Sequence, residues 1–215
     1  VVAGGKRRSS RMSVKSWKDG DIVEFISCKE QDGLHWTTNI SVEADALNYH
    51  AIEDIEHPHH TMAYAVFHET VVSMRRNGEP GFWNRSLSSK GERFPELMFC
   101  PNPCGEIGLY MWENCNLGHV NLEYFAQRML SQTIEAFRLM TRFLMRATFG
   151  DVPNPRQRKV LDENRRIGVG FMGFHSWLML HGIKYSDAAT NEFVKGRLIA
   201  FKAAVDAEKE SYAIV

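Results

Sequence analysis

The segment Asn102-Pro103-Cys104-Gly105-Glu106 places an amide, a thiol and a carboxylate at alternate positions of the chain. An amide donates and accepts hydrogen bonds, a carboxylate can take a proton, and sulfur can serve as nucleophile, metal ligand or hydrogen-atom donor. Pro101 and Pro103 disfavour helix at and before their own positions, which predicts an extended segment. In extended chain the residues at i, i+2 and i+4 project to one side, so Asn102, Cys104 and Glu106 are expected to face a common partner. Gly105 lets that partner approach the backbone closely. Cys115 follows 11 residues after Cys104, within Asn114-Cys115-Asn116-Leu117-Gly118. A hairpin-like return would bring it to the same pocket.

The same residues admit two plainer readings. One is a proline-rich loop with a buried cysteine and a surface glutamate. The other is a zinc-stabilised binding module, because Cys100, Cys104, Cys115 and His119 are spaced C-x3-C-x10-C-x3-H, near the range of a structural tetrahedral site. Pro101 and Pro103 constrain such a knuckle badly. Neither the papain nor the caspase signature surrounds any of the 4 cysteines, which argues against a thiol protease.

The elements expected to hold these residues alternate between strand and helix. Ser10–Trp17 and Thr37–Val42 read as strands, and Asp19 or Asp21 can cap a short helix whose Ile22, Phe25 and Ile26 fall at the helical period. A helix is expected from about Thr61 to Arg76, with Met62, Ala65, Val66 and Val72 as its apolar positions, ended by Asn77-Gly78 and Pro80. Val120 and Leu122 are expected to close a strand after the looping stretch Phe99–Leu109. A long helix from Glu123 to Thr148 follows, then a loop around Pro153-Asn154-Pro155. Two more helices are expected at Gly173–Leu180 and Ala188–Tyr212. This alternation predicts an α/β architecture with parallel strands.

Composition excludes several classes. With 26 basic and 26 acidic side chains the formal net charge is zero, which argues against a generally basic nucleic-acid binder. No apolar run approaches the roughly 20 residues of a membrane span. Four cysteines in 215 residues are too sparse for a secreted disulfide scaffold, so a reducing, cytoplasmic setting is expected. There is no initiating Met and no signal or transit peptide, and Val215 follows directly on a helical pattern. An internal piece of a longer chain is therefore expected.

Asn102-Pro103-Cys104-Gly105-Glu106-Ile107, followed by Glu113-Asn114-Cys115-Asn116-Leu117-Gly118-His119-Val120-Asn121-Leu122, closely resembles the catalytic subunit of ribonucleotide reductases. The Pro-Cys-Gly form of the first motif is most similar to the adenosylcobalamin-dependent class II enzymes. Further blocks agree in order: Gly4-Gly5-Lys6-Arg7-Arg8-Ser9-Ser10, Thr38-Asn39-Ile40-Ser41-Val42, Asn77-Gly78-Glu79-Pro80-Gly81-Phe82 and Arg165 to Gly173. The resemblance implies that residues 1–215 are part of a ten-stranded α/β barrel, with a central finger loop carrying the radical cysteine at its tip. It implies that Cys104 becomes a thiyl radical and abstracts the 3′ hydrogen of a ribonucleotide, that Glu106 takes the 3′-hydroxyl proton, and that Asn102 fixes the sugar. Asn102, Pro103, Cys104, Gly105 and Glu106 would together bind the substrate.

By the same resemblance Cys115 is one of two reducing thiols, its partner lying upstream of Val1. Gly4, Gly5, Lys6, Arg7, Arg8 and Ser9 match the specificity loop that reports an effector nucleotide, a dNTP or ATP, to the substrate base. The implied cofactor is adenosylcobalamin, the implied reductant a thioredoxin-like protein or small dithiol, and a homodimer is allowed for the full-length parent. No nucleic-acid partner, membrane or metal is implied. The isolated piece is expected to be inactive, because the partner cysteine and the later barrel strands would be missing.

Other features are not promoted. His57, His59 and His60, with His50 and His68 nearby, could suggest a metal cluster, but His57-Pro58-His59-His60 is expected at a surface loop-to-helix junction. Gly168-Val169-Gly170-Phe171-Met172-Gly173 fits G-x-G-x-x-G but has no acidic ribose-binding residue in a βαβ context, and close helix packing is expected there. The Met and Phe stripe of Leu130–Phe149 reads as core or inter-helix contact. Cys28 and Cys100 are expected to be small buried residues, with Cys100 able to compete with Cys104 for oxidants.

Overall fold

The computed structural model describes residues 2–3, 7–8, 10–30 and 38–213. The chain divides into two compact units, Val1–Met111 and Trp112–Val215.

In the first unit Val2–Ala3 (β1) and Arg7–Arg8 (β2) pair antiparallel. Arg11–Ser16 (β3), Thr38–Ala44 (β4) and Gly81–Asn84 (β5) form a parallel sheet in that order. Parallel neighbours require crossovers. Here these are Ile22–Ser27 (α1), between β3 and β4, and Ala46–Glu53 (α2) with His60–Asn77 (α3), between β4 and β5. Asp45 caps α2, its carboxylate accepting from the Asn48 N–H at 2.8 Å. Gly78, at φ +86°, ends α3 by donating its N–H to Met74 O at 2.9 Å, a left-handed cap that glycine adopts readily.

The buried face of α3 differs from the expected apolar stripe. Ala63, Val66, Thr70 and Ser73 are buried, whereas Met62 and Ala65 face outward. Small residues let α3 lie close to α1, and the two hydroxyls are satisfied: Thr70 donates to Val66 O at 2.7 Å and Ser73 to Ile26 O at 3.3 Å. The core there consists of Trp17, Ile22, Ile26, Val42, Ala51, Ala63 and Val66. One helical turn, Arg85–Ser88 (α4), and a 3-10 turn at Pro95–Leu97 lead to an antiparallel hairpin of Met98–Pro101 (β6) and Gly108–Tyr110 (β7). A separate small cluster of Trp83, Met98 and Tyr110 anchors the hairpin.

In the second unit Asn116–Asn121 (β8) and Ile167–Met172 (β9) pair in parallel, with Asn116 opposite Ile167 and Asn121 opposite Met172. Between them run Leu122–Phe125 (α5), Leu130–Ala147 (α6) and Pro155–Glu163 (α7). Phe174–Leu180 (α8), a 3-10 turn at Tyr185–Asp187 and Glu192–Ala213 (α9) follow. Phe137 of α6 stacks on Phe201 of α9 at 4.7 Å between ring centroids.

Two sequence expectations are corrected here, and one helix is added. Leu122 does not close a strand: Asn121 accepts from the Glu123 N–H at 3.2 Å and starts α5, which buries Leu122. The expected helix from Glu123 to Thr148 is broken before Leu130, where Gln132 accepts the Met129 N–H at 3.2 Å and so caps a second start. Residues 155–163, beyond the loop expected around Pro153-Asn154-Pro155, form α7, with Asn154 accepting from the Arg156 N–H at 2.9 Å and Pro155 in the first turn. Asn before Pro is a helix-start signal. The α/β expectation with parallel strands holds in both units.

Candidate active site

Asn102 to Glu106 do not form extended strand, which corrects the alternation argument for Asn102, Cys104 and Glu106. They form the closed end of the β6–β7 hairpin. Gly105 donates its N–H to Asn102 O at 2.9 Å, and Asn102 N–H reaches Ile107 O at 2.9 Å. The Asn102 side-chain oxygen accepts from the Ile107 N–H at 3.2 Å. Asn-Pro-x-Gly carries its own signal for a turn: Asn at the first position, Pro at the second with φ already set, Gly at the fourth. Gly105 takes φ +84°, a conformation open to glycine and costly to other residues. Turn chemistry therefore overrides the extended preference that proline shows in isolation.

The turn nevertheless brings the intended groups together. The Asn102 amide donates to the Glu106 carboxylate at 2.7 Å, and Cys104 lies between them in the chain. Cys104 and Glu106 are exposed and Asn102 is half-buried. The described residues therefore do not seclude the Cys104 sulfur from water. Asn39 of β4 gave no chemical signal of its own beyond its place in a matching block, yet its amide donates to Pro103 O at 2.6 Å. This is a tether from the sheet to the turn. An asparagine inside a β-branched strand was the available hint, since asparagine is depleted there.

Cys115 belongs to the second unit, immediately ahead of β8. Its sulfur is half-buried and lies 4.0 Å from Asn116 O. A Cβ added to Gly168 would stand 3.6 Å from that sulfur and 2.4 Å from Leu117 Cδ2, so the glycine makes room for this segment. Gly168 and Gly170 are strand residues, where an added Cβ would meet the Leu117 and His119 side chains of β8, and the expected close packing on a helix is found at Gly173, where it would stand 3.2 Å from the Glu123 N of α5. Gly4, Gly5, Lys6 and Ser9 lie outside the described residues. The backbones of Arg7 and Arg8 pair with Ala3 and Val2.

The competing readings lose ground. Among the described residues no three His, Cys, Asp or Glu side chains gather where they could hold a metal ion, so zinc on Cys100, Cys104, Cys115 and His119 has no support. Cys28 and Cys100 are half-buried rather than buried. Burial pushes the Cys100 thiol above its ordinary range, which lowers its thiolate fraction and its competition with the exposed Cys104. His59 and His60 stand at the start of α3 as expected. Among the described residues no helix is long and apolar enough to cross a membrane.

The mixed α/β fold is that of a ribonucleotide reductase barrel domain, and the chain belongs to that family: the family described as "Ribonucleotide reductase, barrel domain" matches residues 43–207. It is 46% identical over 219 residues to a provisionally named adenosylcobalamin-dependent ribonucleoside-triphosphate reductase of Mycobacterium phage D29, covering 99% of this chain and 31% of that protein. It is 35% identical over 190 residues to the adenosylcobalamin-dependent ribonucleoside-triphosphate reductase of Lactobacillus acidophilus, covering 83% of this chain and 23% of that one. The chain thus spans less than a third of the length of these relatives. A solved structure, the class Id ribonucleotide reductase alpha subunit of Actinobacillus ureae, matches with a TM-score of 0.73 at 15% identity over 94% of this chain and 41% of that one. That likeness establishes the fold, which is part of an α/β barrel.

Proposed function

We propose that residues 1–215 form part of the barrel domain of a longer ribonucleoside-triphosphate reductase, in which Cys104 is the radical residue. The observation that carries this reading is the hairpin end, where a hydrogen-bonded amide and carboxylate flank an exposed thiol. As a thiyl radical, Cys104 takes the hydrogen atom from C3′ of the ribose and becomes a thiol. Glu106 accepts the 3′-hydroxyl proton and Asn102 holds the sugar hydroxyls. The 2′-hydroxyl departs as water, carrying a proton from the thiol pair that includes Cys115. That pair supplies two electrons and two protons in all and ends as a disulfide. Cys104 then returns its hydrogen to C3′ and is a radical again, while Glu106 gives its proton back to the 3′ oxygen. The sum is ribonucleotide plus dithiol giving deoxyribonucleotide, disulfide and water, a reaction that supplies DNA precursors.

The relatives' names support adenosylcobalamin as cofactor and a triphosphate as substrate. When bound, adenosylcobalamin supplies a carbon-centred radical able to take a hydrogen atom from a thiol. An exposed sulfur on a turn fits that exchange. No described residue is assigned to holding the corrin, and no step above runs through it. The block Gly4, Gly5, Lys6, Arg7, Arg8 and Ser9 is proposed, on resemblance alone, to relay an effector nucleotide to the substrate base. A thioredoxin-like protein or small dithiol would regenerate Cys115, a homodimer is the proposed assembly, and the setting is cytoplasmic. The rest of the barrel would supply the cover that Cys104 lacks here.

The test is Cys104→Ser in the full-length reductase. Deoxynucleotide formation should disappear while nucleotide binding persists; continued turnover would overturn the assignment.

A further inference from the structure

The parallel ladder of β8 and β9 has its first backbone pair at Asn116 and Ile167. Carried back in the same register, Cys115 falls opposite Arg166 and Glu113 opposite Asn164. Over this stretch the two chains are joined by side chains. The Asn164 amide donates to the Glu113 carboxylate, and Arg166 Nε lies 3.0 Å from the same oxygen, Glu113 Oε1. The Glu113 side chain is 0% exposed and that of Arg166 is 15% exposed. Asn164 is itself fixed, donating its N–H to Val160 O of α7 at 2.8 Å. Just ahead of Glu113, Trp112 takes φ +68°, the left-handed region that is a genuine outlier for a bulky residue. Strain of that kind persists only where the surroundings enforce it, and it gathers at functional sites.

We propose that Glu113 is a positioning residue for the Cys115 thiol, acting through Arg166 and Asn164. The inference rests on the reading of Cys115 as a reducing thiol. A carboxylate wholly removed from water is costly to bury, even when paired, and an apolar pair would join two strands at least as well. What the ion pair adds is direction. It pins the backbone two residues ahead of the sulfur, while Gly168 leaves room for Leu117, two residues beyond it. Hydrogen transfer to a substrate radical depends steeply on where that sulfur sits.

The test uses the full-length, cofactor-loaded reductase. In Glu113→Gln, kcat should fall about tenfold or more with KM unchanged, as misplacement of a reacting group does. The alkylation rate of Cys115, followed by peptide mass spectrometry, should change by about fivefold while that of Cys104 stays within about twofold. A merely structural role would move both thiols together. Should Glu113→Gln fail to fold, the paired variant Glu113→Met with Arg166→Leu removes both charges, and it should fold yet show the same loss of kcat. Wild-type kcat in either folded variant overturns the proposal, as does a parallel change at Cys104 and Cys115. Cys115→Ser separates the two levels. Full turnover in that variant overturns the reading of Cys115 and the positioning role with it; its loss, beside an unaffected Glu113→Gln, overturns the positioning role alone.

Discussion

Removing the Asn39 amide should loosen the Cys104 turn without unfolding it. Asn39 sits on β4 opposite Met12 of β3, and its donation to Pro103 O at 2.6 Å ties the hairpin end to the parallel sheet. The bonds that close the turn, Gly105 N–H to Asn102 O and Asn102 N–H to Ile107 O, do not involve it. In Asn39→Ala the turn therefore keeps its shape and loses its tether. A neutral hydrogen bond contributes about 1 kcal/mol net, and the freed carbonyl can turn to water, so the stability cost should stay near that value. Converted to rate, about 1 kcal/mol is roughly a fivefold loss if the tether's whole contribution is felt in the transition state. Asn39→Asp should be worse than alanine, because it sets an acceptor against the Pro103 carbonyl where a donor stood. The assay is steady-state kcat and KM in the full-length reductase, with hydrogen-exchange protection of β4 as a control for folding. A kcat within about twofold of wild type in Asn39→Asp would refute the reasoning, since an unfavourable contact at the tip would then leave the chemistry unmoved.

Two further outcomes follow from charges and thiols in the first unit. Burial raises the Asp45 carboxyl's pKa, but hydrogen bonds from Lys18, Asn48 and Trp17 outweigh it and hold it below the ordinary carboxylate range. Its contribution is thus complete above that range and lost as pH falls through the lowered value, and Asp45→Asn should flatten this acid limb in hydrogen exchange of α2. Asp45→Ala should cost about 2 kcal/mol, from the lost cap and the stranded indole N–H of buried Trp17; exchange in α2 unchanged from wild type would contradict both statements. Desolvation likewise raises the Cys28 and Cys100 thiols, so their alkylation in native protein should rise at higher pH than that of an unfolded control. A profile centred at or below the control would show that burial does not govern them.

Parallel strands, the helix at α3 and its glycine stop were legible because each rests on a short-range rule: β-branched runs, a 3.6-residue period, a left-handed cap. The turn at Asn102 was legible too, in the Asn-Pro-x-Gly order, but proline's extended preference points the other way, and only the hairpin partner β7 decides between them. The breaks around Leu130 and Pro155 depend on single side-chain caps, Gln132 and Asn154, which a hydrophobic period does not register. The contacts of Asn39, Glu113 and Arg166 were beyond reach for a different reason. Each meets its partner across 51 or more residues of chain, and no local pattern announces a contact of that separation.

The bond between Asn102 and Glu106 means that the two groups which would grip a ribose already grip each other. An arriving sugar must part them, offering its own hydroxyls as replacement donor and acceptor, so the net change in bonding is small and recognition falls to fit. A ligand able to satisfy only one of the pair leaves the other stranded, and the pocket would refuse it by closing back on itself.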